Sequence, residues 1–328
     1  MYSDTLAGMG RAKRRIAPRV TSSVNRNFER LIEPEVVRVV RELPLPWRPN
    51  EHGRPCYNPR IVAICCFLMV FYQKTYDSIE SYLMNDKALM SLLKVKSLPG
   101  HSVINRGMGK LPLPYLRRVM RHLLLKYRKK GLMYAVDSTG FSRANRSTWF
   151  DIRIGRKNSR HDCLKLHIVA NLEEDFVHDF TITNWKRGDS PQFKRLIRDL
   201  PELDAVLGDK GYSSRLNCQM VKDKNGTPYL RFKSNATGKA KGHPAWKEAY
   251  VEFTTNTDAW MQIYKLRNII ESIFSSIKRR WGSALRSRLY WNQIKELALK
   301  VLAYNMRQAL YVERARELGI DLRATVAA

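Results

Sequence analysis

Apolar residues change their spacing along the chain, and the changes divide it. From Tyr57 to Lys130 the period is helical. Asn58-Pro59 opens a helix with Pro in its first turn, and the unbroken apolar run Ile61–Tyr72 forms a buried body. Ser78–Leu93 repeats apolar residues at Ile79, Tyr82, Leu83, Leu89, Leu92 and Leu93. Ser97-Leu-Pro99-Gly100 predicts a turn, followed by a short helix from about His101 to Gly107. The pattern shortens after Gly131. Leu132–Val136 is a partly β-branched run that ends in Asp137-Ser-Thr-Gly140, a strand and then a turn. Ser147–Arg153, Leu164–Leu172 and Phe176–Thr183 are further strand candidates. Gly188-Asp189-Ser190-Pro191 then predicts a helix over Gln192–Leu200 with Asp189 as its cap. Leu203–Leu207 is another strand, followed at once by Gly208-Asp209-Lys210-Gly211-Tyr212. Residues 213–255 are rich in Lys, Gly and Asn and read as an insertion with one strand, Tyr229–Phe232.

The helical period then returns. Ile263, Leu266, Ile270, Ile273, Phe274 and Ile277 make one apolar face of a helix over Tyr264–Lys278. At about 100° per residue, Tyr264, Arg267, Glu271 and Lys278 fall within about 60° of one another along the border of that face. A closing helix is predicted over Gln293–Glu317. The chain therefore divides into a loosely organised basic arm (1–50), a helical domain (51–130), an α/β domain (131–310) and a tail (311–328).

Charge gives the first half of this plan a partner. The 328 residues carry 59 Lys+Arg against 30 Asp+Glu, a net charge of +29 with pI near 10.2. That excess is foreign to an ordinary metabolic enzyme and implies a polyanion, nucleic acid above all. Arg106–Lys130 holds nine cationic residues and no acidic one. A helix, a tight turn and a short polar helix just before it have the layout of a helix-turn-helix. The five cysteines (Cys56, Cys65, Cys66, Cys163 and Cys218) are odd in number and lack zinc-knuckle spacing. They read as reduced and structural, which suits the cytoplasm. The longest apolar run has 12 residues against the ~20 a membrane span needs, and no secretory signal is legible. No membrane is expected among the partners.

Strands in series, then helix, strand and a late helix predict an α+β or α/β fold of RNase H-like type, a mixed sheet flanked by helices. It is preceded by an all-helical DNA-binding domain. Asp137 and Asp209 each end an apolar run and precede a Gly-containing turn. At strand tips two carboxylates are half buried yet reach solvent, and a helix packed across the sheet brings Glu271 to them. Three such carboxylates suit two Mg²⁺ ions flanking a scissile phosphate, with Mn²⁺ as a substitute. For Glu271 the competing reading is an ion pair with Arg267 one helical turn away. His161, His167 and His178 read as structural or DNA-facing rather than as ligands, and Asp151, Asp162 and Glu173 as weaker ligand candidates. Trp185 and Trp291 are candidate stacking platforms, while Trp281 falls on the core arc.

These motifs carry a resemblance. Tyr264, Arg267, Glu271 and Lys278 match the Tyr-x2-Arg-x3-Glu-x6-Lys signature of a branch of the DDE transposases of bacterial and archaeal insertion sequences. Val136-Asp137-Ser-Thr resembles that family's first-Asp motif, and Leu207-Gly-Asp209-Lys-Gly-Tyr212 its second. Gly282-Ser-Ala-Leu-Arg286-Ser-Arg288 is also similar. The resemblance implies that Asp137, Asp209 and Glu271 are catalytic and bind the metals. It further implies that Tyr264, Arg267 and Lys278 contact DNA, to which the run Arg279, Arg280, Arg286 and Arg288 adds a basic edge. The implied activity is cleavage at terminal inverted repeats followed by strand transfer into target double-stranded DNA, by a homodimer. A nuclease without strand transfer and a non-catalytic DNA-binding descendant are the rival readings.

Overall fold

The computed structural model describes residues 15–49, 56–127, 132–143 and 163–324. The expected strand Ser147–Arg153, with Asp151, His161 and Asp162, lies outside them.

Among the described residues seven α-helices precede the sheet: α1 (Pro18–Arg26), α2 (Phe28–Arg41), α3 (Pro59–Phe71), α4 (Tyr76–Met84), α5 (Lys87–Leu93), α6 (His101–Lys110) and α7 (Leu113–Leu124). The loosely organised arm expected over 1–50 does not hold for residues 15–49. Val20, Val24, Ile32, Val36 and Val40 recur at helical spacing and are fully buried, so α1 and α2 belong to the core. α3 is apolar around its circumference because it is enclosed on all sides, with Asn58 capping it through the Arg60 amide. The single helix expected over Ser78–Leu93 is two. Asp86 accepts from the Leu89 amide at 2.8 Å and restarts the chain as α5, with Asn85 closing α4.

Among the described residues the sheet has five strands: β1 (Leu132–Ser142), β2 (Cys163–Asn171), β3 (Val177–Asn184), β4 (Leu203–Gly208) and β5 (Thr227–Leu230). Their order is β3-β2-β1-β4-β5. β1, β2 and β3 pair antiparallel, while β4 runs parallel to β1 and β5 parallel to β4. The turn expected after Asp137 is absent, because β1 continues past it and pairs through Ser142 with Cys163. Residues 213–255 are not a simple insertion either. They contribute α9 (Arg215–Lys222), the edge strand β5 and α10 (Pro244–Thr255), while α8 (Ser190–Arg198) precedes β4.

The alternation of strand side chains divides the core. Odd residues of β1, such as Ala135 and Phe141, face a front cluster shared with the N-terminal helices, α12 (Asn268–Trp281) and α13 (Tyr290–Glu317). Even residues, Tyr134 and Val136, face a back cluster with α8, α9 and α10. α13 runs through the front cluster and is buried over most of its 28 residues. Its Asn305 side chain donates to the Val177 carbonyl at 2.7 Å and accepts from the Val177 amide at 3.0 Å, completing the exposed edge of β3. Residues 311–324 are not a free tail: α13 continues to Glu317, and Arg323–Ala324 pairs antiparallel with Arg15–Ile16. Among the described residues no helix is long and apolar enough to cross a membrane.

Candidate active site

The parallel pairing of β1 with β4 ends at Val136 opposite Gly208. The next residue along each chain segment is an aspartate, so Asp137, midway along β1, stands beside Asp209, just past the carboxyl end of β4, on the front face. Gly208 permits the approach: a Cβ there would lie 2.8 Å from both Val136 and Leu230.

The third carboxylate comes from α12. The predicted helix exists but is interrupted: α11 (Thr257–Tyr264) is joined to α12 by a 3₁₀ turn over Lys265–Arg267. Ile270, Ile273, Phe274 and Ile277 bury the inner face of α12 as their spacing predicts, which leaves Glu271 in the first turn at the rim. Arg267, at the junction, spans the site. Its guanidinium donates to Asp137 Oδ2 at 2.6 Å and to Glu271 Oε1 at 2.7 Å. Arg267 and Asp137 are mostly buried, whereas the Glu271 side chain is 57% exposed.

The electrostatics follow from this arrangement. Burial raises the Asp137 pKa, with the nearby Asp209 and Glu271 charges adding to the rise; the Ser138 amide and Arg267 oppose it. For Arg267, burial pulls the pKa down, but the charges of Asp137, Tyr264 and Glu271 outweigh it and the net direction is up. Tyr264 stacks on Trp260 at 5.0 Å between ring centres, and Arg267 lies over the Tyr264 ring at 5.8 Å. Two strand positions beyond Asp137, Thr139 Oγ1 accepts from Lys278 Nζ at 2.6 Å. Lys278 also lies over the Phe141 ring, and burial lowers its pKa.

The residues expected to bind DNA therefore part company. Tyr264, Arg267 and Lys278 join the acidic site. Arg280 instead lies over the ring of Phe28 at 5.0 Å, and Arg286 donates to the Gln73 carbonyl, so both attach to the N-terminal helices. Arg279 and Arg288 are exposed.

The back face holds a polar cluster whose connection the sequence did not disclose. Asp189 precedes α8 but makes no side-chain cap, contrary to its predicted role. Its Oδ1 accepts from Lys165 Nζ at 2.5 Å and from Ser138 Oγ at 3.1 Å. His167 is fully buried, with Nδ1 paired to the Tyr212 hydroxyl at 3.1 Å and Nε2 to Thr183 Oγ1 at 3.0 Å. Burial lowers its pKa to about 4, so the ring is neutral. His178 stands edge-on to Tyr134, and Glu173 is exposed on the β2–β3 loop. Neither joins the carboxylates. Trp281 is buried and donates to the Phe71 carbonyl, whereas Trp185 and Trp291 are exposed.

Among the described residues no cluster of three or more His, Cys, Asp and Glu is close enough, as arranged, to enclose a metal ion. The reason is visible in the site: the Arg267 guanidinium lies between Asp137 and Glu271 and supplies the cation there. The donor set itself, three carboxylates from three segments, is that of a hard divalent ion. Asp137, Asp209 and Glu271 thus match the oxygen donors that such an ion takes.

The family described as "Transposase DDE domain" matches residues 128–306, more than half of the chain. Among solved structures, the piggyBac transposase synaptic complex with hairpin DNA aligns with a TM-score of 0.46 and 8% identity, covering 90% of this chain and 75% of that one. The Drosophila P element transposase strand transfer complex aligns with a TM-score of 0.29 and 12% identity, covering 93% and 89%. Both likenesses are distant, and the family assignment rests on the sequence match. No curated protein matches the chain.

Proposed function

The chain belongs to the transposase DDE-domain family, and on that premise we propose that it moves an insertion sequence by metal-dependent DNA strand cleavage and strand transfer. The observation that carries the reading is the register of β1 and β4. It puts Asp137 beside Asp209, and one guanidinium links Asp137 to Glu271 from α12. The strand order β3-β2-β1-β4-β5 supports the RNase H-like description of this half of the chain.

In this reading Asp137, Asp209 and Glu271 hold two Mg²⁺ ions, or Mn²⁺ in their place. When bound, these ions activate the attacking oxygen and neutralise charge on the leaving oxygen. The chain's own residues do the rest. Arg267 leaves its two carboxylates and pairs with a DNA phosphate, a fork suited to that geometry. Lys278, already directed along β1 by Thr139, contacts a neighbouring phosphate, while Tyr264, whose ring lies under Arg267, supports it there. The net charge of +29 and the cationic helices before β1 support duplex DNA, with its terminal inverted repeats, as the partner of the N-terminal half. Two ends handled together call for a homodimer, acting at the nucleoid in the cytoplasm.

The test is cleavage of a plasmid carrying the element's own ends in Mg²⁺ or Mn²⁺, comparing wild type with Glu271→Ala and Asp209→Ala. Cleavage and joining by wild type alone is the expected result. Equal cleavage by the variants overturns the site. Cleavage without joining favours a nuclease, and specific binding without cleavage a DNA-binding relic.

A further inference from the structure

Consecutive strand residues point to opposite faces, so whatever grips Ser138 from behind the sheet also fixes the backbone that bears Asp137. Ser138 Oγ donates to Asp189 Oδ1 at 3.1 Å. The second metal-side aspartate is held from the same side. The Tyr212 amide donates to the Asp209 carbonyl at 2.9 Å and closes the turn, and the Tyr212 hydroxyl pairs with His167 Nδ1 at 3.1 Å. That same nitrogen lies 3.4 Å from Asp189 Oδ1, to which Lys165 Nζ also donates at 2.5 Å. Between Asp209 and Tyr212, Gly211 lies flat against the carboxylate: a Cβ there would stand 2.9 Å from Asp189 Oδ2. One carboxylate therefore meets β1, β2 and the turn after β4, the three segments whose relative position sets the front of the site.

We propose that Asp189 is a positioning residue for the metal-binding carboxylates, holding Ser138 and the Asp209–Tyr212 turn together from the back face and so setting the spacing of Asp137 and Asp209. The inference rests on the function proposed above and adds a residue that touches neither metal nor DNA. Partners of this kind orient ligands, and their loss commonly weakens metal binding by about 10–100-fold. It also assigns Gly211 a role: the glycine lets the Asp189 carboxylate come within reach of the turn.

The experiment is calorimetric titration of the full chain with MnCl₂, without DNA, for wild type, Asp137→Ala, Asp189→Ala, Gly211→Ala and the Asp189→Ala/Gly211→Ala double variant. Thr183→Val serves as the control, since the Thr183 hydroxyl meets the far nitrogen of His167. Asp189→Ala and Gly211→Ala should each weaken Mn²⁺ binding by roughly 10–100-fold, and the double variant no further than either single one. Thr183→Val should bind as wild type does. Near-ultraviolet circular dichroism tells lost folding from lost positioning, and if Asp189→Ala unfolds, Gly211→Ala carries the test with Asp189 intact. Additive losses in the double variant overturn the proposal. So does binding by Asp189→Ala within about twofold of wild type while Asp137→Ala binds weakly. If wild type and Asp137→Ala take up Mn²⁺ alike, it is the metal-site reading that fails.

Discussion

The two faces of β1 carry polar groups of similar chemistry and opposite design. On the front, Asp137 and Glu271 share one guanidinium and Glu271 stays open to solvent. On the back, His167 is sealed from solvent with both ring nitrogens paired inside the protein. A closed network of neutral and paired groups stabilises and rigidifies, because each member is satisfied where it stands. On the front the carboxylates share one guanidinium at a rim open to solvent, where the function proposed above places a ligand. In that reading stability belongs to the back and chemistry to the front.

The largest test of that contrast is Asp137→Asn, which should lower cleavage by about 10³-fold or more while duplex binding in a gel-shift assay stays near wild type. The mirror experiment is His167→Leu. It removes a partner from each of the Tyr212 and Thr183 hydroxyls and should cost about 2–4 kcal/mol in urea unfolding. Glu271→Gln, at an exposed rim, should change stability by less than about 0.5 kcal/mol. If Glu271→Gln proves the more destabilising, the division between the faces is wrong.

Arg267→Gln sharpens the front further. Removing the cation between Asp137 and Glu271 should raise Mn²⁺ affinity by about tenfold without DNA, read by calorimetry, while lowering cleavage. Unchanged Mn²⁺ affinity would mean that the guanidinium does not compete with the metal.

A third carboxyl, Glu33 on α2, belongs to neither face. Burial raises its pKa from 4.5 to about 7, opposed by the Tyr72 hydroxyl that donates to it. Between those values the folded state binds more protons than the unfolded one, so stability falls as pH rises through this window. Glu33→Gln should abolish that decline, an effect on the order of 1–2 kcal/mol in unfolding measured at pH 5 against pH 7.5. A retained slope would assign it to other groups. The smallest effect expected is for Lys278→Ala, which should reduce the salt dependence of DNA binding by about one phosphate contact.

Much of the site was legible because it repeats at helical spacing. Glu271, Arg267 and Lys278 share a helix border that the apolar residues Ile270, Ile273, Phe274 and Ile277 define by exclusion. Asp137 and Asp209 stood out as carboxylates ending apolar runs. Asp189 was misread for a related reason: an aspartate before Ser-Pro at a helix start is a cap by local rules, and only distant strands offer Ser138 and Lys165 to it instead. The helices at 18–41 were obscured by their cations, which line the outer surface of segments whose valines are buried. The edge strand β5 is legible only roughly: the sequence places it at Tyr229–Phe232 and it lies at Thr227–Leu230, because four residues supply too short a period to fix its ends.

The sequence by itself determined the family, the cationic character, the two aspartates and the helix that bears Glu271, since each depends on residues close together along the chain. Tertiary structure alone decided that Asp137 neighbours Asp209, that Arg267 closes the site, and that Asp189 turns from cap to brace. Those facts depend on strand order and register, which are settled by which apolar faces can be buried together over distances that no local pattern spans.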